Sequence, residues 1–216
     1  MKFKYFYTAL VGIVLYLVLA SNAGGYNGNA TGSHGAGNGP VAGCSCHGTQ
    51  NNDFPVSIEI DSNGTKVSQY KPGSNYTIKL TGINNTTTSL PKYGFQLSAV
   101  MANSKLTGSQ GAAGQTMCTQ AGKWGSNLPA STANVTMSGV NVISQSAPIS
   151  ATTGTGSTGS IYSVSIPWTA PAAGSGPVVF YGAMLGVNGN GSDKGDVQNL
   201  AKQLYINELG KGKVCR

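Results

Sequence analysis

Charge is what this sequence has least of: only 9% of its residues are Asp, Glu, Lys or Arg. Its surface must therefore be covered by Ser, Thr, Asn and Gly, which suits an extracellular protein of strands and loops. Acids and imidazoles are scarce as well. Asp53, Glu59, Asp61, Asp193, Asp196 and Glu208, with His34 and His47, are the whole inventory for proton transfer. No acid/base pair stands out among them, and no Gly-x-Ser-x-Gly elbow surrounds any of the many hydroxyls. The expectation is that the chain is not an enzyme. Helical periodicity is nearly absent, the exception being Val197, Leu200, Ala201 and Leu204, read as the approach to a strand or a single turn. With no helices to cover its faces, a parallel sheet is excluded. Lys and Arg are scattered rather than interleaved with aromatics, so nucleic-acid binding has no support.

The N-terminus is where a long apolar run occurs. Lys2 and Lys4 precede the run from Ala9 to Ala20, which ends at Ser21-Asn22-Ala23. That is the pattern of a signal peptide over residues 1–23, with cleavage after Ala23. An uncleaved anchor is the alternative, because with Phe6 counted in, the stretch nears the roughly 17 residues needed to span a bilayer. Either way the expected location is extracytoplasmic, secreted or on the cell surface. Losing Lys2 and Lys4 leaves eleven cations against six acids, a net charge of +5. A short basic tail over 210–216, with Lys211, Lys213 and Arg216, suits a polyanionic envelope. The expected partner is a cell-envelope or extracellular component, with membrane contact only through an uncleaved anchor.

About 190 residues remain after the leader, one domain's worth. From Gly24 to Gly43 the chain is Gly, Asn, Ala and Ser with almost nothing to bury, so a flexible lead-in is expected within a segment spanning 24–53. From Phe54 onward, Phe54, Val56, Ile58 and Ile60 alternate with Pro55, Ser57 and Glu59, the period of a half-buried strand. The pattern returns at Tyr76, Ile78 and Leu80; at Phe95, Leu97 and Ala99; at Val135 and Met137; and at Val140 and Val142. It continues at Tyr162, Val164, Ile166 and Trp168, then Val178 and Phe180, then Leu204 and Ile206. Gly, Asn or Pro bounds each run. Seven or eight short strands joined by turns predict an all-β antiparallel sandwich over 54–209. Two inserts interrupt it. One, Asn103 to Ala133, carries Cys118 and Trp124. The other, Ser144 to Ser160, is nearly pure Ser, Thr, Gly and Ala and is expected to be a mobile surface loop.

Four motifs in register resemble a known family. Tyr70-Lys71-Pro72-Gly73-Ser74-Asn75-Tyr76-Thr77-Ile78 resembles the opening of reelin-N-like (Reeler) domains. Gly94-Phe95-Gln96-Leu97, Trp168-Thr169-Ala170-Pro171 and Val179-Phe180-Tyr181-Gly182-Ala183 follow in the family's order. The stretch from Asn188 to Asp196 is similar to one in the bacterial choice-of-anchor V subgroup. The resemblance implies an immunoglobulin-like sandwich on an exported, often surface-anchored protein. In physical terms, Pro72-Gly73 turns the chain into a strand, Phe95 and Trp168 face the core, and Pro171 ends a strand. That subgroup commonly begins with Cys-x-x-Cys-His, whereas this chain reads Cys44-Ser45-Cys46-His47, one spacer shorter.

Two thiols beside a histidine carry several chemistries. Cys44 and Cys46 could hold a c-type haem through thioethers with His47 as axial ligand, and export permits it. His34, Met101, Met117, Met137 or Met184 would be available as a sixth ligand, with no spacing to select one. The structural alternative pairs Cys44, Cys46, Cys118 and Cys215 in disulfides, since exported thiols oxidise. A ring closed between Cys44 and Cys46 would be very tight, so cross-links to Cys118 and Cys215 are favoured. Zinc on Cys44, Cys46, His47 and a distant Cys is a third arrangement. Asn188, Asn190, Asp193 and Asp196 could offer oxygens to calcium, but the EF-hand spacing is absent and a plain hairpin loop is preferred. The expectation is an exported binding or structural module with no resident cofactor or metal. Its alternative is an electron-transfer protein with one haem.

Overall fold

The computed structural model describes residues 29–31, 47, 50–102, 119–137 and 140–210. Among these residues the protein is all β, in two sheets packed face to face. The strands are β1 (Val56–Ser62), β2 (Thr65–Lys66), β3 (Gln69–Tyr70), β4 (Asn75–Ile83), β5 (Lys92–Met101), β6 (Lys123–Trp124) and β7 (Thr132–Met137). They continue with β8 (Val140–Gln145), β9 (Ile149–Ser150), β10 (Ile161–Thr169), β11 (Val178–Val187), β12 (Val197–Leu200) and β13 (Leu204–Glu208). Eight of them run five residues or more, and these are the runs that the alternation marks out. The smaller sheet has the order β2-β1-β4-β10-β6 and the larger β3-β13-β11-β5-β8-β7, with β12 also pairing β11 and β9 also pairing β5. Both sheets are antiparallel throughout except for the parallel pairing of β3 with β13. The chain changes sheet at every connection from β2 to β7 and again before and after β10, the crossing pattern of an immunoglobulin-like sandwich.

Period-2 burial decides which face meets which. Ile58, Leu80 and Val164 form one row across the smaller sheet, and Ile60, Ile78 and Ile166 the next. All six are buried. Opposite them lie Phe95, Leu97, Phe180 and Met184 of the larger sheet, in the same core. At its centre Trp168 of β10 meets Phe180 of β11 edge to face, with ring centroids 4.9 Å apart. Trp168 also packs on Tyr70 and Tyr76, and its indole N–H donates to the Ala121 carbonyl at 3.0 Å. Trp124 pairs with Trp168 in register and packs against Phe180 with the rings tilted, centroids 6.4 Å apart. Part of the first insert thus belongs to the core.

The second insert differs from the expectation of a mobile loop. Ser144 and Gln145 belong to β8, and Ile149–Ser150 forms β9 on β5. Beyond it, the Gly156 carbonyl accepts hydrogen bonds from Leu90 N and from Asn84 Nδ2, both at 2.8 Å. Asn84 is fully buried, and its Oδ1 accepts from both the amide and the hydroxyl of Thr86. Gly156 has φ of 100°, and a Cβ there would lie 2.5 Å from the Pro91 nitrogen. Only glycine allows the backbone this close. The insert is therefore fastened by a buried amide and a bare backbone, neither of which has an apolar signal.

Interior polar groups follow the same rule of bonding to the main chain. Tyr70, Tyr93 and Tyr162 donate their hydroxyls to the carbonyls of Gly176, Ser163 and Leu90. Burial raises all three phenol pKa values, Tyr70 to about 12 with added repulsion from Glu208. Glu208 is itself buried and accepts from the amides of Gly174 and Gly176. Replacing Trp168 with Ala is expected to lower stability by about 3–5 kcal/mol, because it empties the contact that joins the sheets. A thermal or denaturant midpoint unchanged by Trp168→Ala would contradict that.

Candidate functional site

The site assembles at the end of the sandwich where β11 turns into β12. The connecting loop, 188–196, is a chain of turns made by its own side chains. Asn188 Oδ1 accepts the Asn190 amide at 3.0 Å, and Asn190 Oδ1 accepts the Ser192 amide at 2.8 Å. The Nδ2 groups of both asparagines donate to the Lys194 carbonyl. Such Asx turns let the chain reverse without pairing. Of the four residues weighed for calcium, Asn188 and Asn190 thus spend their side-chain oxygens on the turns, and among the described residues no three His, Cys, Asp or Glu side chains come together.

The loop delivers Asp196 to the head of β12. Its carboxylate is only 4% exposed. One oxygen accepts the Asn188 amide at 3.0 Å, and the other meets Nδ1 of His47 at 2.9 Å. A carboxylate here can only accept, so this contact orients the ring with Nδ1–H as its donor. The His47 side chain is 34% exposed, so the ring is partly accessible while one of its nitrogens is engaged by Asp196.

Three further contacts fix the backbone that carries His47. Gln50 bridges Gln198 in parallel, the Asn51 amide donates to the Gln198 carbonyl at 2.9 Å, and Asn199 Nδ2 donates to the Asn51 carbonyl at 2.9 Å. The lead-in thus extends the larger sheet along β12. Phe54 then anchors it from inside. Its ring is fully buried over Gly82 and Gly186, where a Cβ would stand 3.3 and 3.2 Å from the ring. The two glycines make the slot that the ring fills.

Of the residues singled out by sequence, the structure describes His47 and brings it to Asp196. Cys44, Cys46, Cys118 and Cys215 lie outside the described residues, as do the 1–23 segment, His34 and Met117. Met101 and Met184 are buried in the core, and Met137 accepts a hydrogen bond from Gln96 on the outer face of the larger sheet. Further along the lead-in, Asn29, Ala30 and Thr31 are buried on β5, where the Ala30 amide donates to Gln96 Oε1 at 2.6 Å and Thr31 bonds Ser98. The role of Asp196 toward His47 was not visible in the sequence. The two are 149 positions apart, and the only hint was an acid in a Gly-rich turn.

Comparison with known proteins gives structural similarity alone. No family model and no curated protein matches the chain. The fold is similar to that of reeler domains. A human F-spondin reeler domain shares 17% identity over 76% of this chain and 95% of that one, with a TM-score of 0.45. A second structure, the Reelin-N domain of F-spondin, shares 15% over 76% and 93%, with a TM-score of 0.44. AvmM, described as catalysing macrocyclization in alchivemycin A biosynthesis, shares 13% over 76% and 93%, with a TM-score of 0.39.

Hydrogen bonds to charged acceptors contribute about 1.5–3 kcal/mol, so Asp196→Ala should speed amide exchange at Asn188 by roughly ten- to a hundredfold. Exchange at Leu90, bonded to Gly156, should be unaffected. Unchanged protection at Asn188 would mean that Asp196 does not hold the loop.

Proposed function

We propose that the chain is an exported, noncatalytic β-sandwich acting as a binding or structural module of the cell envelope or its exterior. The observation that carries this reading is how its interior polar chemistry is used. Glu208, Asn84, Tyr70, Tyr93 and Tyr162 each close backbone hydrogen bonds at the ends and crossings of the sheets. Groups so engaged serve rigidity rather than proton transfer. A charge-poor, hydroxyl-rich exterior over such a core suits a scaffold that works outside the cell.

One contact favours a second reading, in which the scaffold carries a c-type haem. Residues that hold an iron ligand histidine commonly bind its second nitrogen with a carboxylate, fixing the ring and raising its basicity. Asp196 does this to His47. Cys44 and Cys46 would hold the group through thioethers and His47 through Nε2, and the group would supply one-electron transfer. The residues fit that chemistry in type, and His47 fits it in having Nδ1 engaged by a carboxylate.

Intact mass of the protein recovered from outside the cytoplasmic membrane tests both. The module reading expects a chain starting at Gly24, lighter by about 2 Da for each disulfide and restored by reduction. Haem would add about 616 Da that reduction does not remove. A chain retained in the cytoplasm with Met1 in place would overturn both readings.

A further inference from the structure

Seven Asn-x-Ser/Thr triplets occur in the chain, at Asn29, Asn63, Asn75, Asn84, Asn85, Asn134 and Asn190. This is the acceptor pattern for N-linked oligosaccharide on exported proteins, and the fold separates the seven into two groups. Asn29 and Asn84 are buried, the first with its Oδ1 accepting from Thr31 and the second with both ends of its amide bonded. Asn190 has both ends of its amide bonded within the 188–196 loop, and Asn75 accepts the Thr169 hydroxyl. Asn63, Asn85 and Asn134 are different. All three are exposed, and none of their side-chain amides is bonded to a described residue.

Two of the three also mark the places where a sheet ends. Asn63 sits in the turn between β1 and β2, with φ of 53°, and its triplet ends at Thr65 in β2, an edge strand of the smaller sheet. Asn134 lies on β7, an edge strand of the larger sheet. Beside it Val135 is 39% exposed. An exposed edge strand invites pairing with another chain, and proteins commonly cover or charge such edges. These two edges carry little charge, Lys66 being paired with Glu59 at 2.6 Å. A bulky, hydrated substituent at each would block pairing by size.

We propose that Asn63, Asn85 and Asn134 are acceptors of N-linked oligosaccharide, and that the glycans on Asn63 and Asn134 cover the edges of the two sheets. The inference rests on the export reading. In the reaction the side-chain nitrogen bonds to the anomeric carbon of an oligosaccharide linked through phosphate to a lipid. The anomeric C–O bond breaks, the lipid phosphate leaves with its electron pair, and the amide nitrogen gives up one proton.

The test is glycopeptide mass spectrometry on the full chain recovered from its own host. Oligosaccharide is expected on Asn63, Asn85 and Asn134, with Asn29 and Asn84 bare. Thr65→Ala and Thr136→Ala should each remove one glycan while leaving the asparagine in place. The double variant should self-associate at concentrations where the unaltered protein is monomeric by light scattering. Exported protein starting at Gly24 with all three asparagines bare would overturn the glycan proposal alone, and so would a glycan on Asn84. Protein held inside with Met1 would overturn it together with the export reading. A double variant that loses both glycans and stays monomeric would overturn the role assigned to the sheet edges.

Discussion

The contact between Trp168 and Phe180 is the one on which the rest of the structure depends. Trp168 belongs to β10, next to the edge strand β6 of one sheet, and Phe180 to β11 at the middle of the other, and their rings meet edge to face. Such a pair adds roughly 0.5–1.5 kcal/mol to what burial alone provides. Its larger effect is geometric, because it fixes where the sheets face each other. Tyr70, Tyr76 and Trp124 gather around the same pair. β3, β4 and β6 are thereby drawn to one centre. With so few charges available, this aromatic group does the joining that salt bridges could not.

Around that centre, polar side chains replace missing backbone partners. Gln145 Oε1 accepts the Phe95 amide at 2.7 Å where β8 leaves β5, so a side chain continues the ladder across a gap. Asn84 and Glu208 do comparable work at the loops near the two ends of the sandwich. Burying an amide or a carboxylate is tolerated when each of its bonds is made, and costly when one is not. The same principle governs Asp196, whose two oxygens serve the loop and His47 at once. The candidate site is thus built with the grammar of the fold.

The strands were legible because alternation records burial directly. Ile58 and Leu80 announce an inward face wherever they stand, and Trp168 declared itself core by size and setting. The order of the second insert is illegible for the opposite reason. Its order comes from Asn84 reaching Gly156, 72 positions away, and from a backbone contact that only a glycine permits, none of which alters local hydropathy. Asn29 to Thr31 likewise offer no apolar surface to mark them, yet they bond the polar outer face of β5. His47 was legible as chemistry from its two neighbouring thiols. Its partner was not, since a carboxylate in a loop of Gly and Asn reads as solvent-exposed until the fold brings it to Nδ1 of the ring.

Everything proposed for His47 turns on which nitrogen holds its proton. A two-bond nitrogen–proton correlation spectrum of the ring, recorded near pH 8 on protein free of metal and haem, answers this directly. The proton is expected on Nδ1, facing Asp196, with Nε2 bare and a single ring orientation; Asp196→Ala should shift the ring toward the Nε2–H form. A native ring already protonated on Nε2, or one averaging between the two forms, would contradict the claim that Asp196 holds His47 ready for a ligand.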